Sequence, residues 1–254
     1  MIKAKAAAEK ALELDPNLAE AHTSLAVILA YFEWDFAGAE KEFRRALELD
    51  PAYPTGQHWY SIYLFDMGRM DEAVRQAKRA VELDPLSLII NTDLALTYYH
   101  ARRYDEAIEQ GKKSLELDPD FAVAHYTLGR AYTEKGMFAD AIGELERSVA
   151  LSHGSPLFLA ELGRAYAADG NKTKTREILV SLKAVAKHRN IPPETFAILH
   201  AALGEKDQAL AWLEKAFQNR SNYIVSLKTV PSVDSLRDDP LFVDLLRRAG
   251  LGPQ

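Results

Sequence analysis

Apolar and polar positions along the chain repeat with a period of 34 residues. The string ALELDP ends at Pro16 and again at Pro51, AVELDP ends at Pro85 and SLELDP at Pro119, the last two steps being 34 residues each. Gly68, Gly136, Gly170 and Gly204 stand at multiples of the same step, with Arg102 in the slot between the first two. A fixed period of this length marks a stacked repeat architecture. The chain accordingly divides into six units, 19–53, 54–87, 88–121, 122–155, 156–189 and 190–223. Half a unit, 3–18, precedes them, and a divergent segment, 224–254, follows and is expected to cap the array. The first unit carries one extra residue, within Tyr31–Gly38.

Each unit predicts two helices joined by a turn. Its eighth residue is small (Ala26, Ser61, Ala95, Gly129, Gly163, Ala197), and so, mostly, is the facing position of the second helix (Ala39, Ala73, Ala107, Ala141, Thr175, Ala209). Two helices approach closely only where such contact points carry little side chain. Leu25, Tyr60, Leu94, Leu128, Leu162 and Phe196 fill the space beside them. The glycine falls in the turn, where a positive φ is needed. Asp71, Asp105, Asp207 and Thr173 read as N-caps of the second helix. The Asp-Pro pairs end that helix, because a residue before proline is driven out of the α region. In the last segment, Leu241, Phe242, Leu245 and Leu246 form an apolar stripe with Asp239 at or near its start.

Composition narrows the function classes. Of 254 residues, 48% are apolar and 27% charged, the balance of a foldable chain. Cysteine is absent, which removes disulfides, thiolate metal sites and thiol nucleophiles together. The longest run without Asp, Glu, Lys or Arg is Pro51–Phe65, shorter than the roughly 20 residues a bilayer span requires. The N-terminus lacks the apolar stretch of a secretion signal, so the expected location is cytoplasmic, with no membrane partner. A net charge of −6 and a pI near 5.7 argue against a general nucleic-acid binder.

Candidate chemistry is sparse. The histidines (His22, His58, His100, His125, His153, His188, His200) show no metal-ligand spacing, and no phosphate-binding glycine motif occurs. His22 and His125 share one slot three units apart, as packing residues do. Most carboxylates lie beside Lys or Arg at helical spacing, as Glu40 and Arg44 do, and read as solvated faces. No catalytic constellation, cofactor site or metal site follows. Between Lys172 and Arg189, six cations (Lys172, Lys174, Arg176, Lys183, Lys187, Arg189) stand against Glu177 alone. A nucleic acid or acidic partner is the second class of ligand this helix suggests, although no aromatics interleave for base stacking.

The spacing Leu128-Gly129-x2-Tyr132 and Leu162-Gly163-x2-Tyr166, the alanine after the turn and the closing proline resemble tetratricopeptide repeats from residue 3 to about 221. The units depart from that pattern where a tryptophan is expected, carrying His22, Gln57, Asn91, His125, Leu159 and Pro193 instead. The resemblance implies an all-α, right-handed α-solenoid of stacked hairpins, non-catalytic and built for protein–protein recognition. It places first helices on the concave wall and marks Thr23, His58, Ile62, Phe65, Thr92, Leu96, Tyr99, Tyr126, Arg130, Thr133 and Arg164 as partner-binding. That wall is apolar and aromatic over units one to three and cationic at four and five, a surface for a peptide or protein with apolar anchors. Arg130 and Arg164 fill the same slot in adjacent units and are expected side by side, locally paired to Glu134 and Glu161 and free to take an acidic group.

The insertion YFEWDFAGAEKEFRRALELDP and the ending AFQNRSNYIVSLKTVPSVDSLRDDPLFVDLLRRAGL resemble the C-terminal repeat regions of bacterial multidomain regulators. In those proteins a winged-helix, nucleotide-cyclase or protein-kinase domain precedes the repeats. The resemblance implies the sensory or scaffold part of a longer regulator, a free-standing scaffold being the alternative. The lone helix 3–16 leaves Ala4, Ala8, Ala11 and Leu12 uncovered, so its face is expected to find a surrogate, either another copy of the chain or a lattice neighbour.

Overall fold

In the computed structural model, which describes residues 2–252, helices account for 77% of the chain and no strand occurs among the described residues. A lone helix, Ile2–Leu14 (α1), is followed by six hairpins. These are Ala19–Ile28 with Phe36–Leu49 (α2, α3), Pro54–Asp66 with Met70–Leu83 (α4, α5), and Leu88–His100 with Tyr104–Leu117 (α6, α7). Then come Ala122–Glu134 with Phe138–Leu151 (α8, α9), Pro156–Ala168 with Lys172–Val185 (α10, α11), and Pro193–Leu203 with Lys206–Gln218 (α12, α13). A short helix Tyr223–Ser226 (α14), a 3-10 turn Pro231–Leu236 and a final helix Pro240–Arg248 (α15) complete the chain. The small contact points are sealed: Ala26, Ala39, Ala73, Ala95, Ala107, Ala141, Ala197 and Ala209 are all fully buried. At Gly129 a Cβ would fall 2.6 Å from Leu145 Cγ, so α8 and α9 touch only because that atom is missing.

The turns explain both the repeated glycine and its absences. Gly68, Gly136, Gly170 and Gly204 have φ of 82°, 72°, 85° and 81°, the left-handed region glycine enters freely. In the same slot of the third hairpin Arg102 takes φ 61°, and in the first Trp34 takes 59°. The extra residue of the first unit is absorbed as a π-helical turn, Leu29–Glu33, immediately before Trp34. The expected N-caps shift by two positions. Asp71, Asp105 and Asp207 lie inside the first turn, where a carboxylate favours the helix dipole, and the cap positions are Arg69, Arg103 and Glu205. Thr173 likewise lies inside α11, whose cap is Asn171, accepting from the Lys174 amide. Asp35 caps α3 through the Gly38 amide.

Four of the six departures from the tryptophan slot have a shared cause, the apolar Leu159 and Pro193 lying outside it. Gln57 and Asn91 donate side-chain N–H groups to the carbonyls of Pro51 (3.1 Å) and Pro85 (2.9 Å). His22 and His125 meet those of Pro16 (3.1 Å) and Pro119 (2.9 Å), with Glu42 and Glu144 on the other ring nitrogen. A polar side chain here satisfies the carbonyl of the Asp-Pro turn before it, and so ties that hairpin to its predecessor.

The C-terminal segment takes a path the repeat pattern does not contain. α15 packs on α13 with Phe242 and Leu245 buried and Asp239 capping it, while Leu241 remains 66% exposed. The stretch before it, residues 219–237, crosses to the first three hairpins. The Arg220 guanidinium donates to the Glu33 carbonyl (3.0 Å) and sits over the Trp34 ring, which also packs on Phe217. His100 Nδ1 lies 2.9 Å from the Thr229 hydroxyl, and Arg102 holds Asp234 through both guanidinium nitrogens at 2.8 Å. Arg237 braces the crossing by donating to the carbonyls of Leu227, Lys228 and Val230. The two non-glycine turn residues thus point to the segment that closes the array on itself. The lone α1 packs on α2 with Ala8 buried, Ala11 and Leu12 half-buried, Ala4 exposed and Lys5 paired to Glu33 (2.7 Å).

Candidate functional site

What remains of the concave face is a cavity of about 600 Å³ between the first helices and the crossing segment. Its rim is apolar: Val27, Phe32, Trp59, Ile62, Leu96 and Leu157, all half-buried. Deeper in lie Tyr31, Phe65, Asp66, His100, Tyr126 and Arg130, and the crossing segment supplies Asn222, Tyr223, Ser226 and Val230. Glu194 enters from α12. Among the described residues no three metal-ligating side chains converge.

Of the residues marked from the sequence, Ile62, Phe65, Leu96, Tyr126 and Arg130 line this cavity. The rest do not. Thr23 and Thr92 are buried between helices, and His58 is paired with Asp93 at 2.5 Å. Thr133 donates to the Gly129 carbonyl within its own helix (2.9 Å), and Tyr99 is sealed beneath the Arg130 guanidinium, 4.2 Å away. Arg164 is drawn into an ion cluster: its Nε donates to Glu161 (2.5 Å) and its terminal nitrogen to Glu134 (2.7 Å). Glu134 therefore serves the neighbouring hairpin instead of Arg130, whose Nε lies 3.7 Å from Glu161. The expected pair of exposed arginines is corrected: Arg130 is buried, Arg164 is half-buried, and the Glu161 carboxylate they share is 1% exposed. Burial alone would raise the Glu161 carboxyl; Arg164 and Arg130 outweigh it and hold the group below its ordinary value.

The contributions sequence reasoning missed come from the crossing segment and from Asp66. Ile224, Leu227, Val230, Val233 and Leu236 recur every three residues, a step that winds around an α-helix instead of keeping to one face, which is the available sign that this stretch is buried on more than one side. Asp66 is 1% exposed and accepts from the Tyr31 hydroxyl at 2.9 Å. Burial pushes its carboxyl up to about 7, against the opposing effects of the Ser226 and Tyr31 hydroxyls. His100, stacked 4.3 Å from Phe65, is pushed well below its ordinary value by burial and by Arg130, Arg102 and Arg237, and stays neutral.

A stability prediction follows for Asp66. The unfolded chain loses this proton near 3.8 and the folded one near 7, so the folded state binds more protons between those values and stability falls as pH rises through that window. About three pH units correspond to about 4 kcal/mol lost in total by pH 8. Asp66→Asn keeps an acceptor for Tyr31 and removes the titration. Urea unfolding should find the variant close to wild type at pH 4 and more stable by a few kcal/mol at pH 8. A gap that does not widen with pH would refute the assignment.

Residues 61–121 and 98–160 match two sequence profiles of the tetratricopeptide repeat. No curated protein matches the chain. Among solved structures, the Cut9-Hcn1 hetero-tetramer of the APC/C superposes with a TM-score of 0.66 at 14% identity, over 97% of this chain and 45% of that one. PilW, a widely conserved type IV pilus biogenesis factor, gives 0.64 at 23% identity, over 73% and 86%. YrrB, described as a TPR protein with an unusual peptide-binding site, gives 0.50 at 17% identity, over 82% and 98%. At these identities the likeness is one of fold. Residues 61–160 thus match the tetratricopeptide repeat in sequence, and the architecture of the described residues is that of its α-solenoid.

Proposed function

We propose that this chain is a non-catalytic protein–protein interaction module that receives a peptide or protein at the apolar rim of its concave cavity. The observation that supports it is the set of half-buried side chains Val27, Phe32, Trp59, Ile62, Leu96 and Leu157, contributed by hairpins one, two, three and five and gathered in one open depression. A contiguous apolar surface of this kind is costly to leave facing water and is the usual seat of a partner's apolar anchors. The residues marked from the sequence fall into two roles under this reading. Ile62, Leu96 and Tyr126 meet the partner, while Thr23, His58, Thr92, Tyr99, Thr133 and Arg164 hold the wall that presents them. The module works in the cytoplasm as the sensory or scaffold part of a larger bacterial regulator; no described helix is long and apolar enough to cross a membrane.

The test is capture from a lysate of the source organism by the tagged chain, read by mass spectrometry. Three forms are compared: wild type, Ile62→Asp with Leu96→Asp, and Lys172→Glu with Lys174→Glu and Arg176→Glu on the exposed face of α11. The expected result is a protein retained by wild type and by the α11 variant but lost with the cavity variant. Loss only in the α11 variant would overturn the cavity reading in favour of the basic helix.

A further inference from the structure

The cavity holds two carboxylate oxygens that are sealed from solvent and lack a hydrogen-bond partner of ordinary geometry. Asp66 Oδ2 accepts from Tyr31, but Oδ1 is sealed from solvent without a hydrogen-bond partner, the Ser226 hydroxyl lying beside the carboxyl. Glu194 Oε1 accepts from the Ser221 hydroxyl (2.9 Å), and Oε2 is likewise sealed and bare. A buried acceptor without a donor is a standing cost, larger when the group is charged.

The charges nearby do not supply the missing donors. Arg130 is the one cation lining the cavity, and with Arg164 it is offset by Glu161 and Glu134. His100 is neutral. Two arginines and two glutamates cancel, which leaves Asp66 and Glu194 as the uncompensated charges of the cavity. Aromatic faces surround them, Tyr31, Trp59 and Phe65 among the lining. Rings attract cations through their electron-rich faces. A metal ion would need several more oxygen ligands than two carboxylates supply, and a small anion would be repelled. A volume of about 600 Å³ with few polar groups suits a small organic molecule.

We propose that this cavity binds a small organic ammonium ion, with its charged head at Asp66 between Tyr31 and Phe65 and its apolar body against Trp59, Ile62 and Leu96. Glu194 is the second carboxylate of the same site. The bare oxygens then gain N–H donors, and the unfavourable burial of Asp66 becomes the means of selecting a cation. The site shares Trp59, Ile62 and Leu96 with the partner-binding reading, but it requires no peptide and is tested without one.

The full chain is titrated at pH 8 with phenethylammonium, with 2-phenylethanol as its neutral isostere and with 3-phenylpropionate as an anion. Calorimetry is the readout, together with tryptophan fluorescence, to which Trp59 in the lining contributes beside Trp34 and Trp212. The expected order places the ammonium about tenfold or more tighter than the alcohol, with the anion weakest. Asp66→Asn should bring the ammonium down to about the affinity of the alcohol, and Glu194→Gln should narrow the gap between the two. Equal binding of ammonium and alcohol, absence of ammonium binding at millimolar concentration, or an Asp66→Asn variant that keeps the preference would each overturn the proposal. Far-UV circular dichroism of both variants separates loss of the site from loss of the fold.

Discussion

Replacing Glu161 by alanine is expected to cost about 3–5 kcal/mol, the largest effect of any single charged residue in the chain. Its carboxylate sits between Arg164 and Arg130 with 1% of its surface exposed, Arg130 being buried and Arg164 having 12% of its side chain exposed. Removal leaves two like charges facing each other away from water, with Glu134 their sole remaining counter-ion and only Arg164 in contact with it. Glu109→Ala is the internal control. Its pair with Lys113 is solvent-exposed on both sides, and its loss should cost less than about 1 kcal/mol. Denaturant unfolding of the two variants provides the comparison. A Glu161→Ala loss as small as that of Glu109→Ala would mean the cluster is hydrated in solution. Glu161→Leu combined with Arg130→Met should recover part of the loss, because an apolar replacement removes the unpaired charge as well as the pair.

Deleting residues 224–254 should unfold more than it removes. Ile224, Leu227, Val233, Leu236 and Phe242 are fully buried, together with Ala197, Leu213 and Ala216 of the last hairpin. Each large side chain contributes about 1.5–3 kcal/mol by burial, so five of them rival the whole stability of an ordinary domain, about 5–15 kcal/mol. The deletion also removes Val225 from the buried cluster that contains Phe65, uncovering that wall. The expected outcome is a loss of helical signal beyond the deleted helices, with strong binding of a hydrophobic dye. A loss in proportion to the residues removed, with no dye binding, would show that the segment is a detachable cap.

The hairpins were legible because their determinants are local. A 34-residue step, small residues at the helix contacts and glycines in the turns all act within one unit or between neighbours. The cavity was legible only where it is built from those same slots, as at Ile62, Leu96 and Arg130. Its other wall joins residues far apart in sequence, such as His100 with Thr229 and Glu33 with Arg220, and no repeat pattern encodes such pairs. The sign that did exist lay in the exceptions. Trp34 and Arg102 occupy glycine positions at the cost of a left-handed backbone, and each is held there by a residue of the crossing segment. Burial along α6 was not legible at all: it is buried from Ile90 to Ala95 and from Thr97 to His100, and between them only Leu96 remains half-buried toward the cavity. Asp66 was invisible for a different reason, since its sequence neighbours Phe65 and Met67 say nothing of Tyr31, 35 residues earlier.

The contact of Trp34 with Phe217 and Arg220 also meters the number of repeats. Open solenoids gain or lose a unit readily, because each hairpin answers only to its neighbours and the ends are free. Here a duplicated or excised hairpin would rotate Phe217 away from Trp34 and carry Asp234 out of reach of Arg102. The seam therefore acts as a ruler, fixing how many hairpins fit between the turn that carries Trp34 and the helix that carries Phe217.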